Sequence, residues 1–146
     1  MLPFFSRFCL ISYYHEQLIR SYSAKSKKIN TRVEPSNVLL GVDIAIPCGL
    51  VINELVTNSL KYAFPADRTG EIAVSIRESD HNDLELLVSD NGVGLPESFN
   101  LRADIKSLGL KLVINLVEKQ LHGKIEVDSS QGTTFKIIFR QVKEDA

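Results

Sequence analysis

Apolar residues recur at two intervals along the chain, and the switch between them predicts the order of its elements. Leu10, Tyr14, Leu18 and Tyr22 follow one another four apart, which places them on one face of a helix over 10–23. The polar stretch Ser23–Lys28 reads as a linker and Ile29–Val33 as a short strand. Pro47 opens the next helix in this reading, because proline in the first turn gives up only an N–H that has no partner there. That helix runs to about Ala63, and Pro65 ends it. Ile72, Val74 and Ile76 then alternate with Ala73, Ser75 and Arg77. Leu84, Leu86 and Val88 do the same beyond the turn signal Asp80–Asp83, so two strands are predicted. Leu108–His122 reads as a helix with Lys111, Asn115, Glu118 and His122 on its polar face and Gly123 as the residue that stops it. Lys124–Asp128 and Thr133–Arg140 alternate about a short turn, as a hairpin does. Helices in one layer and a mixed, largely antiparallel sheet in the other make a two-layer α/β sandwich, an α+β fold.

Composition narrows the class. A chain of 146 residues, 44% hydrophobic and 24% charged, can build one core. Its 17 basic and 18 acidic side chains leave a net charge of −1, which provides no field for nucleic acid or an anionic membrane. Cys9 and Cys48 form no CxxC pair, so neither a disulfide scaffold nor a structural zinc site is expected. No apolar run nears the roughly 20 residues of a membrane span. Met1–Ile11 carries Arg7 and lacks the charged start and small-residue cleavage site of a signal peptide. These features predict a soluble cytoplasmic domain over 29–141, preceded by a helix and linker over 1–28 and followed by a polar tail over 142–146.

Candidate chemistry falls on four segments. Glu54, Asn58 and Lys61 lie within about 40° of one direction on the helix from Pro47, whereas Ile52, Val56, Ser59 and Ala63 point the other way. A carboxylate, an amide and an ammonium on one face can be a solvated surface. They also suit a metal–nucleotide site, since an amide oxygen is a hard ligand for Mg²⁺ and lysine neutralises phosphate. Asp90-Asn91-Gly92-Val93-Gly94 reads either as a tight turn or as backbone brought close to a ligand, with Asp90 as a fixed acceptor. Ser107-Leu108-Gly109-Leu110 begins a helix, whose free N–H groups favour anions. Gly132-Thr133-Thr134-Phe135 opens the last strand.

In order and spacing these segments resemble the boxes of sensor histidine kinases. Asn53-Glu54-Leu55-Val56-Thr57-Asn58-Ser59-Leu60-Lys61-Tyr62-Ala63-Phe64-Pro65 is similar to their N box, and Asp90–Pro96 to their G1 box. Ser107–Val113 resembles their G2 box, and Gly132–Phe135 their closing glycine-threonine box. The phrasing NELVTNSLKYAFP is most similar to a subfamily often fused to PAS sensor domains. The resemblance covers about Val42 to Phe139 and implies a Bergerat-type ATP-binding fold, shared with gyrase and the large ATP-dependent chaperones. It implies ATP and Mg²⁺ as cofactors, with Asn58 holding the metal, Lys61 touching phosphate and Tyr62 packing on adenine. Glu54 then matches the catalytic acidic residue, and Asp90 accepts from the adenine amino group between the permissive Gly92 and Gly94. Gly109 and Leu110 would lie under the phosphates, and Thr133 would support the base beside Asp90.

Some features depart from the family pattern. Ser107 stands where many kinases have glycine, Gln131 replaces a second glycine, and the lid Pro96–Lys106 is short and glycine-free. The segment 1–28 supplies at most a remnant of the helical hairpin that carries the acceptor histidine. His15 reads as a helix-surface residue rather than that acceptor. The implied partners are a histidine-containing dimerisation domain and a response regulator, with a homodimer through the N-terminal helix as a further arrangement. A serine kinase of the anti-sigma type and a nucleotide-gated binding module without phosphoryl transfer are the rival readings. A gyrase-like clamp would need transducer domains.

Overall fold

The structure, a computed structural model, describes residues 5–6, 29–34, 38–66, 68–79, 81–101 and 108–140. The predicted helix over 10–23, its linker, His15, Ser107, the tail and much of the lid fall outside these residues. The described strands are β1 (Phe5–Ser6), β2 (Ile29–Val33), β3 (Leu39–Leu40), β4 (Gly70–Glu78), β5 (Leu84–Asp90), β6 (Lys124–Asp128) and β7 (Thr133–Phe139). Helix α1 spans Val42–Tyr62 and α2 spans Leu108–Asn115. Strands β2-β4-β5-β7-β6 form one sheet, parallel only between β2 and β4. The mixed, largely antiparallel sheet backed by helices is the expected α+β sandwich. Pairing of β1 with β3 was not anticipated, because two-residue strands carry no readable period. Among the described residues, no helix is long and apolar enough to cross a membrane.

The core forms where the inward positions of each element meet. Val51, Ile52, Leu55 and Val56 of α1 are fully buried with Ile72 and Val74 of β4, Leu86 and Val88 of β5, and Ile137 of β7. Each such side chain contributes roughly 1.5–3 kcal/mol of burial, so the period-2 and period-3.6 patterns together fix which faces meet.

Two boundaries differ from the sequence reading. Helix α1 starts five residues before Pro47, with Gly41 as its N-cap and Asp43 in its first turn. Its first regular bond runs from the Ala45 N–H to the Gly41 carbonyl at 2.8 Å. Pro47 therefore removes the bond to the Asp43 carbonyl. Burial of Ala45, Pro47 and Cys48 against the core outweighs that loss. The Cys48 thiol, fully enclosed, is pushed up to about 12 by burial.

The second helix is also not uniform. It widens after Asn115 into a π-helical turn, Leu116–Gln120, with the Leu121 N–H bonding to the Leu116 carbonyl at 3.0 Å. In an α-helix, steps of four drift by about 40°, and the wider turn takes up that drift so that Val113, Val117 and Leu121 all stay buried. Gly123 is not the left-handed stop: His122 takes that conformation, with φ 51°. Gly123 instead lies so close to the Ile138 carbonyl that a Cβ has no room.

The turn from β6 to β7 is shaped by Asp128, whose carboxylate accepts the Ser130 N–H at 2.9 Å and is thereby held below the usual carboxylate range. It delivers Gly132, at φ 79°, to the end of β5.

Candidate functional site

Strand β5 faces the core at every second residue, and its fourth inward position is a carboxylate. Asp90 follows Leu84, Leu86 and Val88 in that phase and is only 6% exposed. Burying a carboxylate is costly unless donors surround it. Its Oδ1 accepts the Gly92 N–H at 2.9 Å and the Thr133 N–H at 3.3 Å, and its Oδ2 accepts the Ser59 hydroxyl at 2.8 Å. The Asp90↔Thr133 register continues the inward pair Val88↔Phe135. Helix α1, strand β5 and strand β7 thus meet at one acid.

The loop after Asp90 is clamped on two sides. The Asn91 N–H bonds to the Glu71 carbonyl at 3.2 Å, while the Asn91 side-chain oxygen accepts the Glu71 N–H at 2.7 Å. The Val93 N–H bonds to the Ala63 carbonyl at 2.9 Å, and Gly92 is packed so tightly on that carbonyl that no Cβ fits. Gly94 adopts φ 76° and sits against the Gly132 carbonyl, where a Cβ would lie 3.1 Å away. A Cβ on Gly132 would collide with the Asp90 carbonyl. The two glycine segments singled out in the sequence therefore cross beside Asp90.

Above this crossing is an open cavity of about 540 Å³, within the usual range for small-molecule sites. Asn58, Ser59, Asp90 and Thr133 give it a polar wall, and Leu95, Phe99, Leu110 and Phe135 an apolar one. Tyr62 and Ala63 line it from the end of α1, with Tyr62 69% exposed, and Gly94 from the loop. The cavity thus collects Asn58, Tyr62, Asp90, Gly94, Leu110 and Thr133 from the ten residues proposed by sequence.

The other four lie around it. Gly92 is buried within the loop, and Lys61 is exposed in the last turn of α1. The Glu54 carboxylate rests against the start of α2: its Oε2 lies 2.6 Å from the place a Gly109 Cβ would take. Glu54 and Gly109 are therefore neighbours, off the cavity wall. Ser59, Ala63, Leu95, Phe99 and Phe135 were missed. Ser59 had a signal, being a polar residue on the apolar face of α1. Phe135 had one too, as an aromatic in phase with Thr133 on β7. Among the described residues no group of three or more His, Cys, Asp or Glu side chains could hold a metal.

An amphiphilic cavity with one fixed acceptor, a glycine crossing and a helix start nearby is a geometry for a flat polar heterocycle with an anionic extension. Residues 44–143 match the model for "Histidine kinase-, DNA gyrase B-, and HSP90-like ATPase".

The chain belongs to that ATPase family.

Its ATP-binding domain is similar to the sensor histidine kinase PdtaS of Mycobacterium tuberculosis, at 33% identity over 103 residues, 70% of this chain and 20% of that protein. It also resembles blue-light-activated histidine kinase 2 of Erythrobacter litoralis, at 29% over 90 residues, 62% of this chain and 26% of that one. The chain thus spans about one sixth to one quarter of the curated relatives it matches. Among solved structures, the histidine kinase domain of Erythrobacter litoralis EL346 superposes with a TM-score of 0.74 at 25% identity, covering 89% of this chain and 60% of that one. The catalytic domain of histidine kinase ThkA superposes at 0.77, covering 99% of both chains; at 18% identity it shows the fold alone.

Proposed function

We propose that this chain is the ATP-binding catalytic domain of a sensor histidine kinase and transfers the γ-phosphoryl group of ATP to a histidine nitrogen outside the domain. The observation that carries the reading is the triply hydrogen-bonded Asp90 at the cavity wall. An ionised carboxylate can only accept, so it selects the 6-amino group of adenine. Tyr62 stacks on the base from the rim, and Gly92 and Gly94 let the backbone pass close to it. Thr133 acts through its N–H, which holds Asp90 in place. Lys61 and the Gly109–Leu110 start of α2 neutralise phosphate oxygens.

The donor chemistry fits Mg²⁺. Asn58 presents a neutral, hard amide oxygen, and magnesium commonly takes few protein ligands beside phosphates and water. When bound, the ion neutralises charge on the phosphates. Glu54 accepts the proton lost by the attacking imidazole as the new N–P bond forms and the bond to the β-phosphate oxygen breaks. Positioning supplies most of the rate. The partners are a histidine-bearing dimerisation domain, in the full-length protein or another chain, and a response regulator. A homodimer through the N-terminal segment is the further arrangement, and the setting is cytoplasmic.

Radiolabelled ATP, Mg²⁺ and a histidine-bearing dimerisation domain mixed with the chain test this. Label that is acid-labile and lost with the acceptor histidine is expected. Acid-stable label on serine would replace the reading with a serine kinase.

A further inference from the structure

Resting on the ATP reading, one residue of the cavity has a role beyond it. We infer that the Ser59 hydroxyl makes this site selective for a 6-amino over a 6-oxo purine, by committing its only proton to Asp90. Serine inside a helix commonly bonds back to its own helix, but Ser59 donates 2.8 Å across to Asp90 Oδ2, and both groups are buried. Each carboxylate oxygen has two lone-pair directions. Oδ1 is filled by the Gly92 and Thr133 N–H groups. Among the described residues, Oδ2 has the Ser59 hydroxyl as its one donor, which leaves one direction for a ligand.

With its proton turned to Asp90, the Ser59 oxygen shows only lone pairs to the cavity it lines. Asp90 and Ser59 together form a wall that accepts and cannot donate. A 6-amino group satisfies that wall, while a 6-oxo group meets two acceptors and no donor. Alanine at 59 opens a second direction on Oδ2 and leaves room for water. A water there can donate one proton to Asp90 and the other to a 6-oxo group. The wall then tolerates both bases. Ser59 is thus a positioning residue that sets specificity through a neighbouring acid.

The test titrates ATP and inosine triphosphate, which differ at the 6-position, against the parent, Ser59→Ala and Ser59→Thr. The parent prefers ATP; Ser59→Ala lowers the ATP-to-inosine preference by about tenfold, the scale on which a mispaired polar group discriminates. Ser59→Thr, which keeps the hydroxyl, restores the preference. Thermal unfolding without nucleotide checks that each variant is folded. An unchanged preference in Ser59→Ala overturns the inference and leaves the ATP reading intact. An equal loss for both nucleotides also overturns it, since a structural defect would do that. A parent that binds neither nucleotide overturns the ATP reading first, and this inference with it.

Discussion

Asp90→Asn is the substitution that separates holding the fold from reading the base. The amide oxygen can keep the place of Oδ1 and go on accepting the Gly92 and Thr133 N–H groups. The NH₂ then occupies the place of Oδ2, and the Ser59 hydroxyl turns to accept where it had donated. All three partners stay satisfied, so the variant folds with a loss of about 1–2 kcal/mol as charge-assisted bonds become neutral ones. The ligand side changes more. The remaining Oδ2 direction becomes a donor, which faces the amino group of adenine with another N–H. Hydrogen bonds to charged groups contribute roughly 1.5–3 kcal/mol, so ATP should bind about one to two orders of magnitude more weakly. GTP should gain relative to ATP, because its 6-oxo group can accept from the new NH₂. Isothermal titration of both nucleotides against both proteins measures this, with circular dichroism as the fold control. An unchanged ATP-to-GTP preference in a folded variant would refute the reasoning and reduce the loop at 90–94 to a turn.

Three further outcomes are expected. Asn58→Ala should leave metal-free ATP binding near the parent value while the gain on adding Mg²⁺ shrinks by at least about tenfold, the scale of losing even an outer partner of a metal; titrations with Mg²⁺ and with EDTA measure it. Gly132→Ala should lower stability by about 2 kcal/mol or more in urea unfolding, since φ 79° costs a side chain roughly 1–2 kcal/mol before its Cβ meets the Asp90 carbonyl. Cys48 has its folded value raised from 9.0 to about 12, so its contribution is intact below pH 9 and declines between pH 9 and 12 by about 1.4 kcal/mol per unit. Cys48→Ala should therefore unfold with a shallower alkaline slope, and parallel slopes in urea melts across pH 8–11 would count against it.

Much of the fold was legible because burial is periodic. The alternation in Ile72, Val74 and Ile76 and in Leu84, Leu86 and Val88 identified β4 and β5, since a strand with one buried face has little freedom of register. Pro47 misled because its local preference was taken over the longer apolar pattern through Ala45, Cys48 and Val51, which burial enforces. The π-turn left no local trace: it answers a mismatch between helix period and the spacing of Val113, Val117 and Leu121, which exists only once they pack. In the site, Asp90 and the glycines were readable from residue type, whereas Ser59 was set aside with Ile52 and Val56 as inward-facing. Ser59 does face inward with them. Helix period alone does not reveal that the inward face ends, after Val56, at a cavity rather than at more core.

That ending explains why the site is where it is. Inward positions along β5 and β7 pair as Leu86↔Ile137, then Val88↔Phe135, then Asp90↔Thr133, so the core turns polar in a single step at the sheet's end. Two of the three donors to Asp90 are backbone N–H groups, and neither is in place unless the β5–β7 register and the clamped loop have formed. The buried acid is therefore tolerated only in the folded chain, and it is held before any ligand arrives. Preorganisation of this kind lowers the ordering cost of binding and couples it to the same contacts that close the sheet. A ligand that reads Asp90 also reads whether β5, β7 and α1 are correctly assembled, so nucleotide binding should raise the unfolding temperature in Asp90→Asn less than in the parent.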